Sequence, residues 1–182
     1  MSRPTHQLRH EHRVIGQSMR ALEGMCFIIR AGGRVPEGEL LKLLNFIRNF
    51  ADGFHHAKED TYLFPALEQA GIRDENGPLA FLRNEHETER KLLSDLASAV
   101  NEYRYDPTSS GKIVVAALQF KDHLIEHMEQ EDSILFRLAE EMLDDRIKDS
   151  LTHSFAVENA ENQFIANRYE ILAEELERAW TV

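Results

Sequence analysis

The chain is poor in the residues on which several protein classes depend. Its 182 residues include one cysteine, Cys26, so no intrachain disulfide can form, and we interpret this residue as a small apolar part of the core. Nine glycines and five prolines are few, and hydrophobic residues at 42% and charged residues at 29% are ordinary for a soluble globular protein. A single domain of usual size accounts for this length.

Positive charge and long apolar runs are also scarce. The formal net charge is −11 and no cluster of Lys and Arg appears, which argues against a nucleic-acid-binding surface because phosphate contacts need such clusters. No run approaches the ~18 apolar residues of a membrane span, and the first residues, Met-Ser-Arg-Pro-Thr-His, lack the apolar segment of a signal peptide. We therefore expect a cytoplasmic protein without nucleic-acid or membrane partners.

The apolar residues recur at a three-four spacing that is typical of amphipathic helices. Four such stripes span residues 8–29, 40–66, 79–100 and 113–142, and a fifth helix is predicted over Ser154–Trp180. No segment shows a sustained period of two. The sequence thus predicts an all-α protein: an antiparallel up-and-down four-helix bundle in residues 1–143, with an additional C-terminal helix in residues 144–182. That helix packs on the bundle or forms the contact of a homodimer.

Two short patterns occur twice in the chain. Leu8-Arg9-His10-Glu11-His12 resembles Leu82-Arg83-Asn84-Glu85-His86, and the segment from His55 to Phe64 resembles that from His127 to Phe136. In each half a lone histidine is followed by a histidine and a glutamate four residues apart. Residues i and i+4 lie on the same face of a helix, so each half offers two ligands on one edge and a further imidazole. The repeat predicts a site for two metal ions.

Six polar residues occupy stripe positions where leucine or isoleucine is expected. They are His12, His55, Glu59, His86, His127 and Glu131. Buried polar groups are costly unless they are paired or bind metal, so six of them on facing helices favour a metal site over a metal-free hydrogen-bond network. His56 is the rival of His55, but aligning Leu63-Phe64 with Leu135-Phe136 places His55 opposite His127.

The ligand types narrow the choice of metal. Imidazole with carboxylate suits iron or manganese, and a histidine-rich site also suits zinc. Structural zinc prefers thiolates and catalytic zinc has three protein ligands around one ion, so two carboxylates on facing helices fit a dinuclear centre better. The motifs His-Glu-x-x-His of zinc proteases and Glu-x-x-His of ferritin-like proteins are absent from the sequence. We expect two iron ions, with zinc or manganese as alternatives.

Together these motifs resemble the hemerythrin-like family, which is named for its His-His-Glu cation-binding motif. The resemblance covers residues 6–140 and is carried by Leu8–Ile15, His55–Leu67, Asn84–His86 and His127–Phe136. It implies a non-heme di-iron centre inside a four-helix bundle, with four nitrogen ligands and two bridging carboxylates. The implied nitrogen ligands are His12, His55, His86 and His127, and the implied bridges are Glu59 and Glu131.

The predicted third helix departs from oxygen-carrying hemerythrin, in which two histidines lie four residues apart, because here the partner of His86 is Arg90. The chain therefore resembles the four-histidine bacterial branch, which weakens the case for simple reversible oxygen carriage. Glu89, near His86, either takes the place of the missing histidine or pairs with a cation at the bundle edge. His123 and Tyr62 are further candidates for contact with metal; the plainer interpretations are a partly exposed histidine and a core tyrosine.

The expected function is binding of a small diatomic ligand, O2 or NO, at the reduced centre for storage, scavenging or sensing. Binding is favoured over catalysis because no nucleophile, acid–base pair or cofactor loop accompanies the metal ligands. One alternative is a di-iron enzyme or iron donor in oxidative or nitrosative stress, which turns over peroxide or NO or repairs iron–sulfur clusters. The other is a structural metal bundle that serves protein interaction through its fifth helix.

Overall fold

The computed structural model describes residues 4–72 and 77–181, and every regular element in these ranges is a helix. The first element, α1 (Pro4–Arg30), and the long helix α4 (Pro78–Tyr105) are uninterrupted. A short 3-10 turn at Pro107–Ser109 leads from α4 into α5 (Ser110–Gln130). The prediction of an all-α protein is thus confirmed.

Two of the predicted helices change their winding along their length. The second consists of α2 (Glu37–Phe46), two π-helical segments, Ile47–His56 and Glu59–Leu63, and then α3 (Phe64–Gln69). In the fourth, α5 passes through a π-helical segment, Glu131–Leu135, into α6 (Phe136–Met142). A π-helical turn holds one more residue than an α-helical turn and is common at functional sites. Side chains after it therefore leave the α-helical register that the sequence pattern assumes.

Glycine lies at the ends of two of these helices. Gly32 after α1 has φ 83°, and the N–H of Gly33 donates to the carbonyl of Ile28 at 2.9 Å. Gly71 after α3 has φ 99°, and the N–H of Ile72 donates to the carbonyl of Leu67 at 3.0 Å. Glycine adopts a positive φ without strain. This conformation lets the N–H groups after the helix donate to its last carbonyls.

The prediction of one fifth helix is wrong, because the C-terminal part forms two helices, α7 (Asp145–Glu161) and α8 (Gln163–Trp180). Asp144 begins α7 earlier than predicted, since its carboxylate accepts a hydrogen bond from the N–H of Ile147 at 2.8 Å. Asn162 separates the two helices, with φ −107° and ψ 13°. Both helices bury side chains against the rest of the protein, namely Leu151 and Phe155 from α7 and Tyr169, Ala173 and Leu176 from α8.

The apolar interior consists of two clusters. The larger joins α1, α2, α4, α5 and α8 and includes Ile15, Phe50 and Leu124; the smaller lies at the other end of the bundle and includes Leu8, Leu63 and Leu135. Along each of the four predicted helices, the polar stripe residues lie between residues of the larger cluster and residues of the smaller cluster. Helix α1, for example, runs from Leu8 through His12 to Ile15. The described helices include none long and apolar enough to cross a membrane.

Candidate metal centre

The structure brings the six predicted site residues together between the two apolar clusters. Helix α1 supplies His12, α4 supplies His86, and the two His-x-x-x-Glu segments supply His55 with Glu59 and His127 with Glu131. His12 is the most exposed of the six at 5%. Six ionisable side chains therefore share an interior from which water is almost excluded, and each needs a partner of opposite charge or a metal ion.

The inner ring nitrogens of four histidines face the two glutamates. The contacts are His12 Nε2 to Glu131 Oε2 at 3.2 Å, His127 Nε2 to Glu131 Oε1 at 3.3 Å, His86 Nε2 to Glu59 Oε2 at 3.6 Å and His55 Nε2 to Glu59 Oε1 at 3.7 Å. The Nε2 atoms of His12 and His55 are themselves 2.9 Å apart. Two neutral imidazole nitrogens at that distance can share one proton, or both can direct a lone pair at the same cation.

The outer ring nitrogens of the same four histidines face different carboxylates. The contacts are His12 Nδ1 to Asp132 at 3.2 Å, His55 Nδ1 to Glu11 at 3.0 Å, His86 Nδ1 to Asp60 at 3.3 Å and His127 Nδ1 to Glu89 at 3.9 Å. The first three are hydrogen bonds. A carboxylate that accepts the Nδ1 proton fixes the tautomer, so the lone pair of Nε2 points inward, and metal-binding histidines have this arrangement.

The inward atoms form two groups in which each residue offers one nitrogen or oxygen within 4.8 Å of the others. One group contains His12, His55, Glu59 and Glu131; the other contains His56, Glu59, His86 and His127. Glu59 belongs to both groups, so its two oxygens reach both sides of the cluster. This is the geometry that a carboxylate bridging two ions requires.

Many of the inward atoms have no hydrogen-bond partner within the described part of the chain. They include both oxygens of Glu59 and Glu131 and the Nε2 atoms of His86 and His127. A buried polar atom without a partner costs about 1–3 kcal/mol, and several in one place are seldom retained for packing alone. Nitrogen and carboxylate donors directed at common points are what iron, manganese or zinc would satisfy. The residues present therefore fit a metal centre.

The two glutamates at the centre differ in the direction in which their pKa values are shifted. Burial raises the pKa of Glu59 well above its ordinary value, and the negative charge of Glu131 adds to that effect. Burial acts on Glu131 in the same direction, but the charge of His127 and contacts with His12 and His86 lower the pKa of Glu131 well below the ordinary value. The pKa values of the two buried carboxyl groups are thus displaced in opposite directions. Two cations between them would stabilise both as carboxylates.

Sequence reasoning missed the ion pair that holds His55. Glu11 accepts from His55 and also from Lys58, whose Nζ lies 2.6 Å from Glu11 Oε1 and 3.4 Å from the centre of the Phe54 ring. Lys58 is 1% exposed. Burial would raise the pKa of Glu11, but His55 and Lys58 lower it to about 2. Lys58 lies between the two π-helical segments, so its inward position is not visible in an α-helical stripe.

His56 and Glu89 also enter the cluster. The sequence places His56 one residue off the stripe, yet it is 2% exposed, its ring stacks on that of His86 with centroids 4.1 Å apart, and its Nε2 lies 3.4 Å from Glu89 Oε2. Because the segment Ile47–His56 is π-helical, His55 and His56 both turn inward. Glu89 is 4% exposed and faces the cluster rather than the bundle edge.

The two other candidates lie outside both groups of potential ligands. The Nε2 of His123 lies 3.6 Å from Glu85, and the His123 side chain is 21% exposed. The hydroxyl of Tyr62 donates to Glu158 at 3.3 Å. Neither side chain contacts Glu59 or Glu131 in the contacts described.

A family model described as the hemerythrin HHE cation binding domain matches residues 3–139. The matched segment contains both His-x-x-x-Glu segments and all the residues of the two groups. No curated protein and no solved structure matches the chain.

Proposed function

Because the chain belongs to the hemerythrin HHE cation-binding family, and is thereby a metal-binding protein, we propose that its cluster holds two iron ions and binds a small diatomic ligand. The ligand is O2 or NO, bound by the reduced centre for storage, scavenging or sensing. One observation carries the proposal: four histidines direct Nε2 at Glu59 and Glu131, while carboxylates face the opposite nitrogens.

The proposed ligands are the six residues predicted from the sequence. His12 and His55 hold one ion, His86 and His127 hold the other, and Glu59 and Glu131 lie between them. Bound iron supplies an exchangeable coordination position and one-electron redox chemistry. Asp132, Glu11 and Asp60 orient three of the imidazoles. The apolar clusters on both sides exclude water, which strengthens electrostatic interactions at the centre.

The burial of the cluster favours a small ligand. His12 is the only one of the six residues that is exposed above 1%, and it lines an open groove together with Arg13, Gly16, Met128 and Asp132. A diatomic molecule can pass the edge of one imidazole, whereas an organic substrate would have to separate α1 from its neighbours. We place the entry of the ligand at this groove.

Some finer features belong to the same proposal. We propose that residues 1–143 form an antiparallel up-and-down bundle and that residues 144–182 are an extension packed on it, in a cytoplasmic protein that can form a homodimer. The described contacts of α1 with α5 and α8, and of α4 with α5, support the bundle and the packing of the extension.

The proposal is tested by metal analysis and spectroscopy of the purified protein. We expect two irons per chain and the visible absorption of a bridged di-iron centre in the oxidised form. The reduced form should change its spectrum on addition of O2 or NO and recover when the ligand is removed. A colourless protein loaded with zinc would overturn the proposal and favour a structural metal bundle.

The same samples distinguish binding from turnover. Consumption of peroxide or NO over many cycles would identify a di-iron enzyme, and transfer of iron to a damaged iron–sulfur protein would identify an iron donor. Stoichiometric, reversible spectral changes with neither activity would support the binding function.

A further inference from the structure

We propose that His56 is a further nitrogen ligand of the metal centre, on the side of His86 and His127. This inference rests on the proposed function, because the metal is the one proposed there. It gives that side three imidazoles, whereas the side of His12 and His55 has two.

The first support is the position of the ring. His56 belongs to the group with Glu59, His86 and His127, in which one potential ligand atom of each lies within 4.8 Å of the others. Its ring meets that of His127 edge to face, with centroids 5.4 Å apart. Three imidazoles and one carboxylate grouped in this way are a donor set that one metal ion can bind.

The second support is the orientation of the two nitrogens. His56 Nδ1 faces the carboxylate of Asp52 at 3.9 Å, just as the Nδ1 atoms of the four other histidines each face a carboxylate. Its Nε2 lies on the side of Glu89, at 3.4 Å from Oε2, and Glu89 also faces His127 Nδ1 at 3.9 Å. Glu89 therefore lies beside two imidazoles of this side and balances the charge of an ion held there.

The third support is that no hydrogen bond satisfies the two nitrogens of the ring. Neither nitrogen of His56 has a hydrogen-bond partner among the described residues, although the side chain is 2% exposed. The plain interpretation is a packing residue that stacks on His86. Phenylalanine would stack equally well without two unsatisfied nitrogens, so packing alone does not account for histidine at this position.

A third imidazole on this side would affect where the exchangeable coordination position lies. The cavity beside His56 and Glu89 measures about 10 Å³, which is room for one water at most. His56 and Glu89 thus close this side of the centre. The side of His12 and His55 has fewer nitrogens, and His12 lines the open groove. We therefore place the exchangeable position on the ion held by His12 and His55.

The test compares the full chain with His56→Phe, which keeps the stacking ring and removes both nitrogens. His123→Phe is the matched control, since it makes the same change at a histidine outside both groups. We expect His56→Phe to lose iron to a chelator about 10-fold faster or more, as expected when a metal ligand or its support is removed. His123→Phe should release iron at the wild-type rate.

A second measurement needs no variant. Proton NMR of the iron-loaded protein counts the exchangeable ring N–H signals that are shifted by the metal: five support the inference, and four overturn it. Equal iron release from His56→Phe and the wild type would overturn it as well. A wild-type protein that holds no iron would overturn the proposed function and this inference together, so the two failures are distinguishable.

Discussion

The two His-x-x-x-Glu segments are alike at the glutamate and different before the histidine. In both, the helix turns π-helical at the glutamate: the N–H of Phe64 donates to the carbonyl of Glu59, and that of Phe136 to the carbonyl of Glu131. The first segment is already π-helical from Ile47 to His56, whereas α5 stays α-helical to Gln130. The two segments therefore differ in their winding before the histidine, which is π-helical in the first and α-helical in the second.

This difference decides which neighbours of the histidine turn inward. His56 and Lys58 in the first segment correspond to Met128 and Gln130 in the second. His56 lies in the cluster and Lys58 pairs with Glu11. Met128, by contrast, lines the open groove beside His12, and Gln130 is half-buried. Two segments with nearly the same ligand motif thus supply different numbers of buried polar groups. Three predictions test this comparison, and a fourth provides a baseline.

The largest effect is expected on iron content when either glutamate is removed, and it should differ between Glu59 and Glu131. Glu59 belongs to both groups of ligands and Glu131 to one. Glu59→Ala should therefore abolish binding of both irons, whereas Glu131→Ala should retain a part of the iron. Iron per chain, measured by elemental analysis, checks this, with the exposed Glu129→Ala as the control. Equal losses in the two variants would contradict an asymmetric role.

The next effect concerns the lysine that has no counterpart. Lys58→Met leaves Glu11 buried without its cation and should lower the free energy of unfolding of the iron-free protein by about 3 kcal/mol. The equivalent change Gln130→Met should alter it by less than about 0.5 kcal/mol. Denaturant unfolding of both variants measures the difference. Similar values would show that the ion pair with Glu11 does not stabilise the first segment.

A smaller effect follows from giving the second segment the histidine of the first. Met128 belongs to the larger apolar cluster and lines the groove beside His12, so the new imidazole of Met128→His lies on an α-helical turn outside both groups of ligands. We expect no additional shifted ring N–H signal in the NMR spectrum and iron release within about 2-fold of the wild type, with a loss of stability near 1 kcal/mol. An extra shifted signal would mean that the winding before the histidine does not select the inward residues.

The smallest effect on stability is expected at a surface contact that is remote from both segments. It provides a baseline for the stability changes within them. The hydrogen bond from Arg20 to Glu177, at 2.6 Å, lowers the pKa of Glu177 below 4.5. The contact therefore stabilises the fold above pH 4.5, and its contribution is lost as the pH falls through the lowered pKa. Glu177→Gln should cost under about 1 kcal/mol at neutral pH and nothing in acid, as measured by unfolding at both. If the loss of stability in Glu177→Gln persisted in acid, it would come from packing and not from the charge of Glu177.

The sequence predicted the helices and the inward positions of the six polar residues, because the α-helical period holds along most of the chain. Gly32 and Gly71 at the ends of α1 and α3 are also signals that a sequence can show, since glycine commonly ends helices. The period fails where the helix turns π-helical, and a single sequence contains no marker for that change. His56 and Lys58 were missed for this reason.

Three other features could be predicted from the sequence only in part or not at all. Asp144 is a common capping residue and could have predicted the start of α7, which lies earlier than the apolar stripe. The break at Asn162 has no equally strong signal, since asparagine also occurs inside helices. The pairing of Glu11 with Lys58 joins residues far apart in the chain, so it follows only from the packing of α1 against the second helix.

The close approach of α1 and α8 has a mechanical consequence. A Cβ atom at Gly24 would lie 1.6 Å from the carbonyl oxygen of Trp180, so the two backbones touch with no side chain between them. Within two turns of Gly24 along α1, Gln17 and Arg20 donate hydrogen bonds to Glu177 of α8. A side chain at position 24 would therefore force the two helices apart. Because α1 carries His12 and α8 carries the exposed Phe164 and Ile171, direct backbone contact links the cluster to that part of the protein surface.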